Sequence, residues 1–316
     1  MTTVSVIIPT YNRASYIGEA IDSVLTQIFR DWELIVVDDG STDDTAKVLE
    51  KYRRQDPRIH YVRQKNAGSS RARNTAITHI SGKYVAFLDD DDRWLPKKLE
   101  MQVQFMESNP TIGFCYMRFQ IYKKVGNKLE KGKLFPEFLA TEFEELSDVF
   151  IAPCSVLIRK SHLDEVEWFG PQYNRCEDFD LWLRLGQICK IAPIDEIGAF
   201  TIMDDRPHGA ESELKVWEIG IEILRNLKLT PQYQHRKKLI RTNIAKRYYW
   251  IAREYLNEKS YRKAAINFAK ALLTDPLIGL AVTVRKPEGI EKMTRVLKSY
   301  MAVPVCLLKG LIHGRR

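Results

Sequence analysis

The chain has 316 residues, of which 45% are hydrophobic and 28% are charged. This composition is that of a soluble globular protein, and the length allows one large α/β domain with an appendage or two ordinary domains. No run of about 18 uninterrupted apolar residues occurs, so we expect no transmembrane helix. The scattered cysteines, without a CxxC pair, argue against a disulfide framework or a zinc site and favour a reducing, cytoplasmic compartment: Cys115, Cys154, Cys176, Cys189 and Cys306.

The net charge of +8 is unevenly distributed along the chain. Residues 225–316 carry 21 Lys and Arg against 5 Asp and Glu, whereas residues 1–224 carry 28 against 36. A basic C-terminal region indicates an anionic partner such as a membrane surface or a polyanion, and the alternative is a solvated basic helical bundle. We expect no nucleic-acid partner.

The first 110 residues alternate short β-rich runs with helical patterns. The N-terminal run MTTVSVIIPTYN is typical of a strand and lacks the basic n-region of a signal peptide. Strands are predicted at 4–10, 32–39, 58–64 and 84–91, with helices at 20–27, 42–53 and 69–80. Strands that alternate with helices in this way form βαβ units, so we predict an α/β fold with a parallel sheet. The polar residues that follow these strands then meet at the carboxyl edge of the sheet, where ligands bind.

The remaining two thirds show a mixed pattern and then a helical one. Strands are predicted at 113–122, 155–160 and 197–203, and helices at 177–187, 213–229, 236–257 and 261–274. We place a domain boundary near residue 212. The stretch 240–274 resembles one tetratricopeptide-type helix pair, although a simple two-helix pack is the safer interpretation because a repeat array needs several units.

The acidic run Asp89-Asp90-Asp91-Asp92 directly follows the apolar segment YVAFL. Adjacent carboxylates repel one another and attract a cation. Mg²⁺ and Mn²⁺ prefer oxygen ligands, commonly one or two protein carboxylates completed by substrate phosphates. The alternative is an acidic loop in which Asp92 caps the next helix. Its position at the end of a buried strand favours the metal site.

Five segments together resemble glycosyltransferase family 2, and they occur in this order: VSVIIPTYNR, ELIVVDDGSTDDT, NAGSSRARNTAI, GKYVAFLDDDDRW and CEDFDLWLRLG. The resemblance covers roughly residues 1–205. It implies a GT-A fold, with a Rossmann-like, mostly parallel central sheet flanked by helices. The nucleotide-binding half is expected at about 1–110 and the acceptor half at about 111–212, followed by a basic helical extension at 213–316.

The resemblance also implies a nucleotide-sugar site. Its base pocket is expected to contain Pro9, Thr10, Tyr11 and Asp39. Asp38 is a weaker candidate, because turn and helix-cap chemistry explains an aspartate there equally well. Arg71 and Arg73 open a helix after a Gly-Ser-Ser turn, and guanidinium groups at a helix N-terminus suit diphosphate oxygens.

Family roles for the carboxylates place the metal on Asp91 and the ribose of the nucleotide sugar on Asp89 or Asp90. The general base is expected at Asp178, the aspartate of the Glu177-Asp178 pair, with Glu177 orienting the acceptor and Asp180 as the fallback base. The alternative for this pair is acidic first-turn charge that complements a helix dipole. His208 is a candidate third metal ligand, against the simpler interpretation of a solvent-exposed loop histidine.

These expectations describe an inverting, metal-dependent hexosyltransferase that uses Mn²⁺ or Mg²⁺ and a nucleotide-diphosphate sugar, with UDP favoured. The acceptor is a carbohydrate or a lipid-linked molecule, as in surface polysaccharide or glycoconjugate synthesis. Two alternatives are a nucleotidyltransferase, which normally has a Gly-rich loop after the first strand, and a non-catalytic carbohydrate- or polyanion-binding module. The apolar and basic segment 296–316 predicts peripheral contact with an anionic membrane at its inner face, although it could equally pack on the body.

Overall fold

The computed structural model describes residues 2–125, 128–137, 139–141, 149–173, 175–203 and 210–278. Two compact units divide the chain, residues 1–206 and residues 207–316. The first unit is built around one β-sheet. Across its described residues, the strands are β1 (Val4–Thr10), β2 (Trp32–Asp38), β3 (Ile59–Arg63), β4 (Tyr84–Phe87), β5 (Asp92–Trp94), β6 (Ile112–Val125), β7 (Lys128–Phe135), β8 (Val156–Arg159) and β9 (Lys190–Met203).

Helices flank the sheet and occur throughout the described residues of the second unit. Those of the first unit are α1 (Ile17–Leu25), α2 (Thr45–Gln55), α3 (Ser69–Ile77), α4 (Lys98–Ser108), α5 (Lys160–Glu165) and α6 (Glu177–Ile188). Those of the second unit are α7 (Ala210–Leu229), α8 (Lys237–Asn257) and α9 (Tyr261–Thr274).

The strand order is β3-β2-β1-β4-β8-β6-β9-β5, and β7 pairs with β6 outside this path. The four N-terminal strands are parallel, as the alternation of strands and helices predicts. All seven residues of β1 are buried, which fits an apolar strand covered on both faces by helices. Antiparallel pairs join β4 to β8, β6 to β8 and β5 to β9, while β6 and β9 run parallel. The sheet is therefore mixed and GT-A-like, and the α/β prediction is confirmed.

The predicted strand at 84–91 is shorter in the structure, because β4 ends at Phe87. Leu88 continues the ladder only through its amide, which donates to the Ile7 carbonyl at 3.0 Å. Asp92 does not cap a helix, since it begins β5 and pairs with Thr201 of β9, and α4 begins only at Lys98. The first three aspartates of the run therefore lie in the loop between β4 and β5, and Asp92 lies in β5.

The second unit packs three described helices through aromatic and polar contacts. Tyr249 of α8 lies edge-on against Phe268 of α9, with ring centroids 5.6 Å apart. Arg225 of α7 donates a hydrogen bond to the Tyr248 hydroxyl at 2.6 Å. Within the part of the chain that the structure describes, no helix combines the length and the apolarity needed to span a membrane.

Candidate active site

The candidate site lies where β1, β2 and β4 end at the same edge of the sheet. Thr10 pairs with Asp38 in the β1–β2 register, and the Asp39 amide donates to the Thr10 carbonyl at 2.8 Å. Parallel strands direct their carboxyl ends to one edge, so the polar residues after β1, β2 and β4 converge there.

Two cavities open at this edge. The first has a volume of about 540 Å³ and is lined by eight residues that the resemblance assigns to the nucleotide sugar or the metal: Pro9, Thr10, Tyr11, Asp39, Arg73, Asp89, Asp90 and Asp91. The second has a volume of about 410 Å³ and contains the Glu177-Asp178 pair. The two cavities share wall residues, namely Arg73, Asp89, Asp91 and Arg175. A ligand in one cavity can therefore meet a ligand in the other.

Arg73 of α3 forms a buried bridge between the two cavities. Its guanidinium donates to Glu177 Oε1 at 2.9 Å and to Asp89 Oδ1 at 2.5 Å. Burial alone lowers the pKa of Arg73, but the Asp89 and Glu177 carboxylates outweigh it and raise the pKa above its ordinary value. Ser69 also donates to Glu177 Oε1 at 2.9 Å. These contacts hold α3, the acidic loop and the start of α6 in one arrangement.

Asp39, which lines the first cavity, also organises the loop of residues 64–68 that leads into α3. One carboxylate oxygen accepts hydrogen bonds from Gln64 Nε2 and the Ala67 amide, at 2.7 and 2.8 Å, and the other accepts from the Gly68 amide at 2.7 Å. A carboxylate has about four acceptor positions, so Asp39 can still accept one donor from a ligand.

The acidic loop places its four carboxylates in different surroundings. Burial raises the pKa of Asp90 to about 7, and the neighbouring Asp91 carboxylate adds to the shift. Asp91 is about one-third exposed and lies 3.7 Å from the Arg13 guanidinium. Burial, followed by the charge of Asp89, raises the pKa of Asp92 to about 7. Asp89 and Asp91 are therefore the members of the run that face both cavities and are solvent-accessible.

This donor set fits a divalent cation that is shared with a substrate. Among the described residues, no group of three or more His, Cys, Asp and Glu side chains could hold a metal ion by itself. Mg²⁺ and Mn²⁺ are commonly held by one or two carboxylates and completed by phosphate oxygens. Asp91, with Asp89 beside it, offers that partial set at the boundary of the cavities.

Asp178 lies in the first turn of α6 and lines the second cavity. Burial raises its pKa to about 7, and the adjacent Glu177 carboxylate adds to the shift. A carboxyl group with a pKa near neutrality can accept a proton at physiological pH and hold it. Both features support the predicted role of Asp178 as the general base, which stays a prediction.

The model of the family "Glycosyl transferase family 2" matches residues 5–167, slightly more than half of the chain. The chain belongs to glycosyl transferase family 2. It is therefore a glycosyltransferase enzyme, and membership sets the nucleotidyltransferase alternative aside.

Known proteins similar to this transferase act on nucleotide sugars. An Escherichia coli protein named UDP-Glc:alpha-D-GlcNAc-diphosphoundecaprenol beta-1,3-glucosyltransferase is 38% identical over 184 residues, which cover 58% of this chain and 69% of that protein. The Staphylococcus aureus TarS 1–349 structure in complex with UDP-GlcNAc superposes with a TM-score of 0.67 at 19% identity, over 98% of this chain and 92% of that chain. A mannosyltransferase of Pyrobaculum calidifontis in complex with GDP-Man and Mn²⁺ has a TM-score of 0.60 at 17% identity, over 96% and 86%. The two structures establish the shared fold.

Several candidate residues of the transferase lie away from the cavities. Asp38 is fully buried; its oxygens accept from the Ser41 amide at 2.7 Å and from the Tyr61 hydroxyl at 3.0 Å, which is the turn chemistry that competed with ligand binding. Arg71 is exposed on α3 and lines neither cavity. Asp180 is ion-paired with Arg184 at 2.7 Å, so its carboxylate is already engaged. His208 lies outside the described residues.

Two arginines of the site carried no assignment from sequence. Arg13 lines the first cavity and lies 3.6 Å from Asp90. Arg175 lines both cavities and has a left-handed backbone, with φ of 75°. Each directly adjoins a recognisable segment, since Arg13 ends VSVIIPTYNR and Arg175 precedes CEDFDLWLRLG. The available signal was a basic residue directly beside predicted site residues, namely Pro9 to Tyr11 for Arg13 and Glu177-Asp178 for Arg175.

Proposed function

We propose that this transferase moves a sugar from a nucleoside diphosphate sugar, with UDP favoured, to an acceptor hydroxyl by a single displacement that inverts the anomeric carbon. The observation that supports it most is the shared wall, because Asp89 and Asp91 line both cavities and Asp178 lines the second. A donor diphosphate in the first cavity would thus present its sugar toward the base. Positioning and electrostatic stabilisation would supply most of the rate.

Asp178 accepts the proton of the acceptor hydroxyl, whose oxygen forms a bond to the anomeric carbon as the bond to the diphosphate oxygen breaks. The bonding electrons leave with the nucleoside diphosphate. Arg73 supports this step indirectly, since its bridge to Asp89 and Glu177 keeps the acidic loop and α6 in register.

A Mn²⁺ or Mg²⁺ ion, held by Asp91 with Asp89 beside it, would neutralise the negative charge that develops on the departing diphosphate. Pro9, Thr10, Tyr11 and Asp39 would contact the nucleotide base, and Asp89 or Asp90 would meet its ribose. Glu177 would hold the Arg73 guanidinium through their ion pair, and its charge would raise the pKa of the neighbouring Asp178. In this proposal the displacement does not involve Arg71, Asp38 or His208.

The proposed acceptor is a carbohydrate or a lipid-linked sugar in the synthesis of surface polysaccharide or glycoconjugate. The E. coli relative, whose name specifies a diphosphoundecaprenol-linked acceptor, supports this choice. A cytoplasmic location with peripheral contact at an anionic membrane follows from the same proposal, through the basic segment 296–316.

Calorimetric titration of the full chain with UDP, GDP, TDP and CDP, each with and without Mn²⁺, tests the donor site. Metal-dependent binding of one nucleotide is expected, and a folded protein that binds none of them contradicts the proposal.

Asp178→Asn tests the base. We expect it to retain nucleotide affinity while its rate of donor hydrolysis falls about 10²- to 10⁴-fold, the usual contribution of a general base. Asp164→Asn, on the exposed face of α5, is the matched control and should hydrolyse donor at the wild-type rate. Near-normal hydrolysis by Asp178→Asn removes Asp178 from the mechanism.

A further inference from the structure

The second cavity has an apolar side opposite its carboxylates. Phe119, Ile121, Phe150 and Pro153 form part of its wall. Phe150 is 54% exposed, and its ring lies 5.7 Å, centroid to centroid, from the rings of both Phe119 and Phe135. The position of Phe150 is therefore supported by two other aromatic rings. A supported aromatic ring that remains exposed beside a general base is available to a ligand.

The charges of the same cavity are unbalanced. It contains five carboxylates (Asp89, Asp91, Asp92, Glu177 and Asp178) and two guanidinium groups, Arg73 and Arg175. Arg73 is already bound to Asp89 and Glu177. The side chain of Arg175 forms no ion pair or hydrogen bond with any other residue that the structure describes. It is exposed and lies at the junction of the two cavities.

The backbone at Arg175 supports a specific role for its side chain. A φ of 75° is in the left-handed region, which costs a residue with a side chain roughly 1–2 kcal/mol. Such conformations cluster at ligand-binding positions, where the surrounding structure imposes them. Here the conformation directs the chain into Cys176 and the start of α6, so Arg175 is set immediately before the base-bearing turn.

We propose that the acceptor of this transferase is a phosphorylated sugar, whose ring packs on Phe150 and whose phosphate or diphosphate is bound by Arg175. This rests on the proposed function, because it assigns the second cavity to the acceptor. A guanidinium matches phosphate oxygens with two parallel hydrogen bonds, and an anionic acceptor needs such a cation in a cavity lined by carboxylates. The apolar face of a sugar ring suits an exposed aromatic ring.

Phosphate at Arg175 has two conceivable sources, the acceptor and the diphosphate of the donor. We assign it to the acceptor because, in the proposed function, a metal on Asp91 neutralises the donor diphosphate, and because Arg73 in the second cavity is already bound to Asp89 and Glu177. The experiment separates the sources by saturating the donor cavity first.

The test uses the full chain saturated with Mg²⁺ and with the nucleoside diphosphate that binds in the titration above. Saturation-transfer NMR then measures binding of hexose and N-acetylhexosamine 1-phosphates, each compared with its methyl glycoside. At least one 1-phosphate should bind the wild type. Arg175→Gln should weaken that binding about tenfold or more and leave the methyl glycoside and the nucleotide unaffected, whereas Arg175→Lys should lose less.

Two variants of Phe150 test whether the sugar ring packs on this side chain. Phe150→Ala should weaken the 1-phosphate and the methyl glycoside alike, Phe150→Tyr should restore both, and nucleotide binding should remain unchanged in each. Arg54→Gln and Leu129→Ala, exposed positions outside both cavities, are the matched controls. Unchanged nucleotide affinity also shows that a variant is folded.

Three outcomes overturn the proposal: no sugar phosphate binds the nucleotide-loaded wild type, Arg175→Gln binds it normally, or Arg175→Gln weakens the nucleotide instead. The last result assigns Arg175 to the donor. Failure of the proposed function is distinguishable, since in that case no nucleotide binds at the first step.

Discussion

Neighbouring carboxylates of the second cavity have different partners, and the partners determine what each can do. Asp89 and Glu177 are ion-paired with Arg73, so both act as fixed anions that position the guanidinium. Asp178 is adjacent to Glu177 in sequence but has no ion-pair partner among the described residues, and its pKa is raised to about 7. Adjacent carboxylates therefore differ in environment, because Glu177 is ion-paired and Asp178 is a buried carboxyl group with a raised pKa.

Glu177→Gln should shift the pH dependence of catalysis. Asp178 accepts a proton only when it is ionised, so activity rises with pH through its pKa. Because the Glu177 charge raises that pKa, the neutral glutamine should move the acidic limb to lower pH. The released Arg73 cation acts in the same direction. The measurement is the pH profile of kcat for donor hydrolysis, and an unmoved or higher acidic limb contradicts the assignment.

At the scale of elements, the loops after β2 and β3 depend on glycines with left-handed backbone. Gly40 has φ of 82°, and a side-chain Cβ there would approach the Asn66 amide nitrogen to 2.9 Å. Gly68 has φ of 92°, but a Cβ there would meet no heavy atom within 4 Å. The two positions therefore share the conformational cost of a side chain and differ in the steric cost.

Gly40→Ala should accordingly destabilise the protein more than Gly68→Ala. We expect about 1–2 kcal/mol for each from the left-handed conformation, with about 1–3 kcal/mol more for Gly40→Ala from displaced backbone. Nucleotide affinity should also fall in Gly40→Ala, because Asp39 precedes it and holds residues 64–68. Urea unfolding of the two variants gives the comparison, and equal losses contradict the steric argument.

Helix α4 contains a lysine inside the core. Lys98 is 1% exposed, and its ammonium donates to Gln102 Oε1 at 2.6 Å and to the Val156 carbonyl at 3.3 Å. Burial lowers its pKa from 10.5 to about 7. Because the unfolded chain keeps this proton at pH values where the folded chain has released it, Lys98 makes stability rise between about pH 7 and 10.5.

Lys98→Met should remove that pH dependence. Relative to the variant, the wild type should gain on the order of 1–2 kcal/mol in the free energy of unfolding between about pH 7 and pH 9. Lys97→Met is the matched control, because Lys97 is exposed at the preceding position and should behave like the wild type. A Lys98→Met variant with the wild-type pH dependence would show that another group causes it.

At the scale of the whole molecule, charge separates the catalytic unit from the C-terminal region. The last 92 residues carry most of the excess of Lys and Arg, and 296–316 combines apolar residues with Lys298, Lys309, Arg315 and Arg316. Each basic residue near an anionic membrane contributes about 1 kcal/mol. A lipid-linked acceptor would make such contact useful, since it would hold the enzyme at the surface where its substrate is concentrated.

A variant in which serine replaces four basic residues tests this contact: Lys298, Lys309, Arg315 and Arg316. The four residues together contribute about 4 kcal/mol of membrane binding, so the partition coefficient onto phosphatidylglycerol vesicles, measured by sedimentation at low salt, should fall roughly 10³-fold. The control variant loses as many exposed cations from the catalytic unit: Lys47, Lys51, Arg54 and Lys65. Both variants should bind nucleotide normally. Equal sedimentation of the two variants contradicts a specific role for the C-terminal segment.

Local patterns were sufficient to predict the parallel half of the sheet and to point out the carboxylates that line the two cavities. The runs 4–10 and 32–39 are apolar and β-rich, and their order with helices dictates parallel pairing. The acidic loop and the Glu177-Asp178 pair were recognisable because their residue types are unusual beside apolar segments. Helix and strand ends were less predictable. The helix predicted at 42–53 begins only at Thr45, whose amide and hydroxyl donate hydrogen bonds to the Asp43 carboxylate.

Sequence alone therefore determined the family, the order of the elements and the carboxylates of the candidate chemistry, because each is carried by a short contiguous segment. Tertiary structure alone decided which carboxylate is ion-paired and which is not, because Arg73 meets Glu177 across 104 residues of chain. It also turned Asp38 inward, placed Asp92 in a strand and brought Arg175 to the junction of the cavities. Those outcomes depend on contacts between distant segments, which no local pattern records.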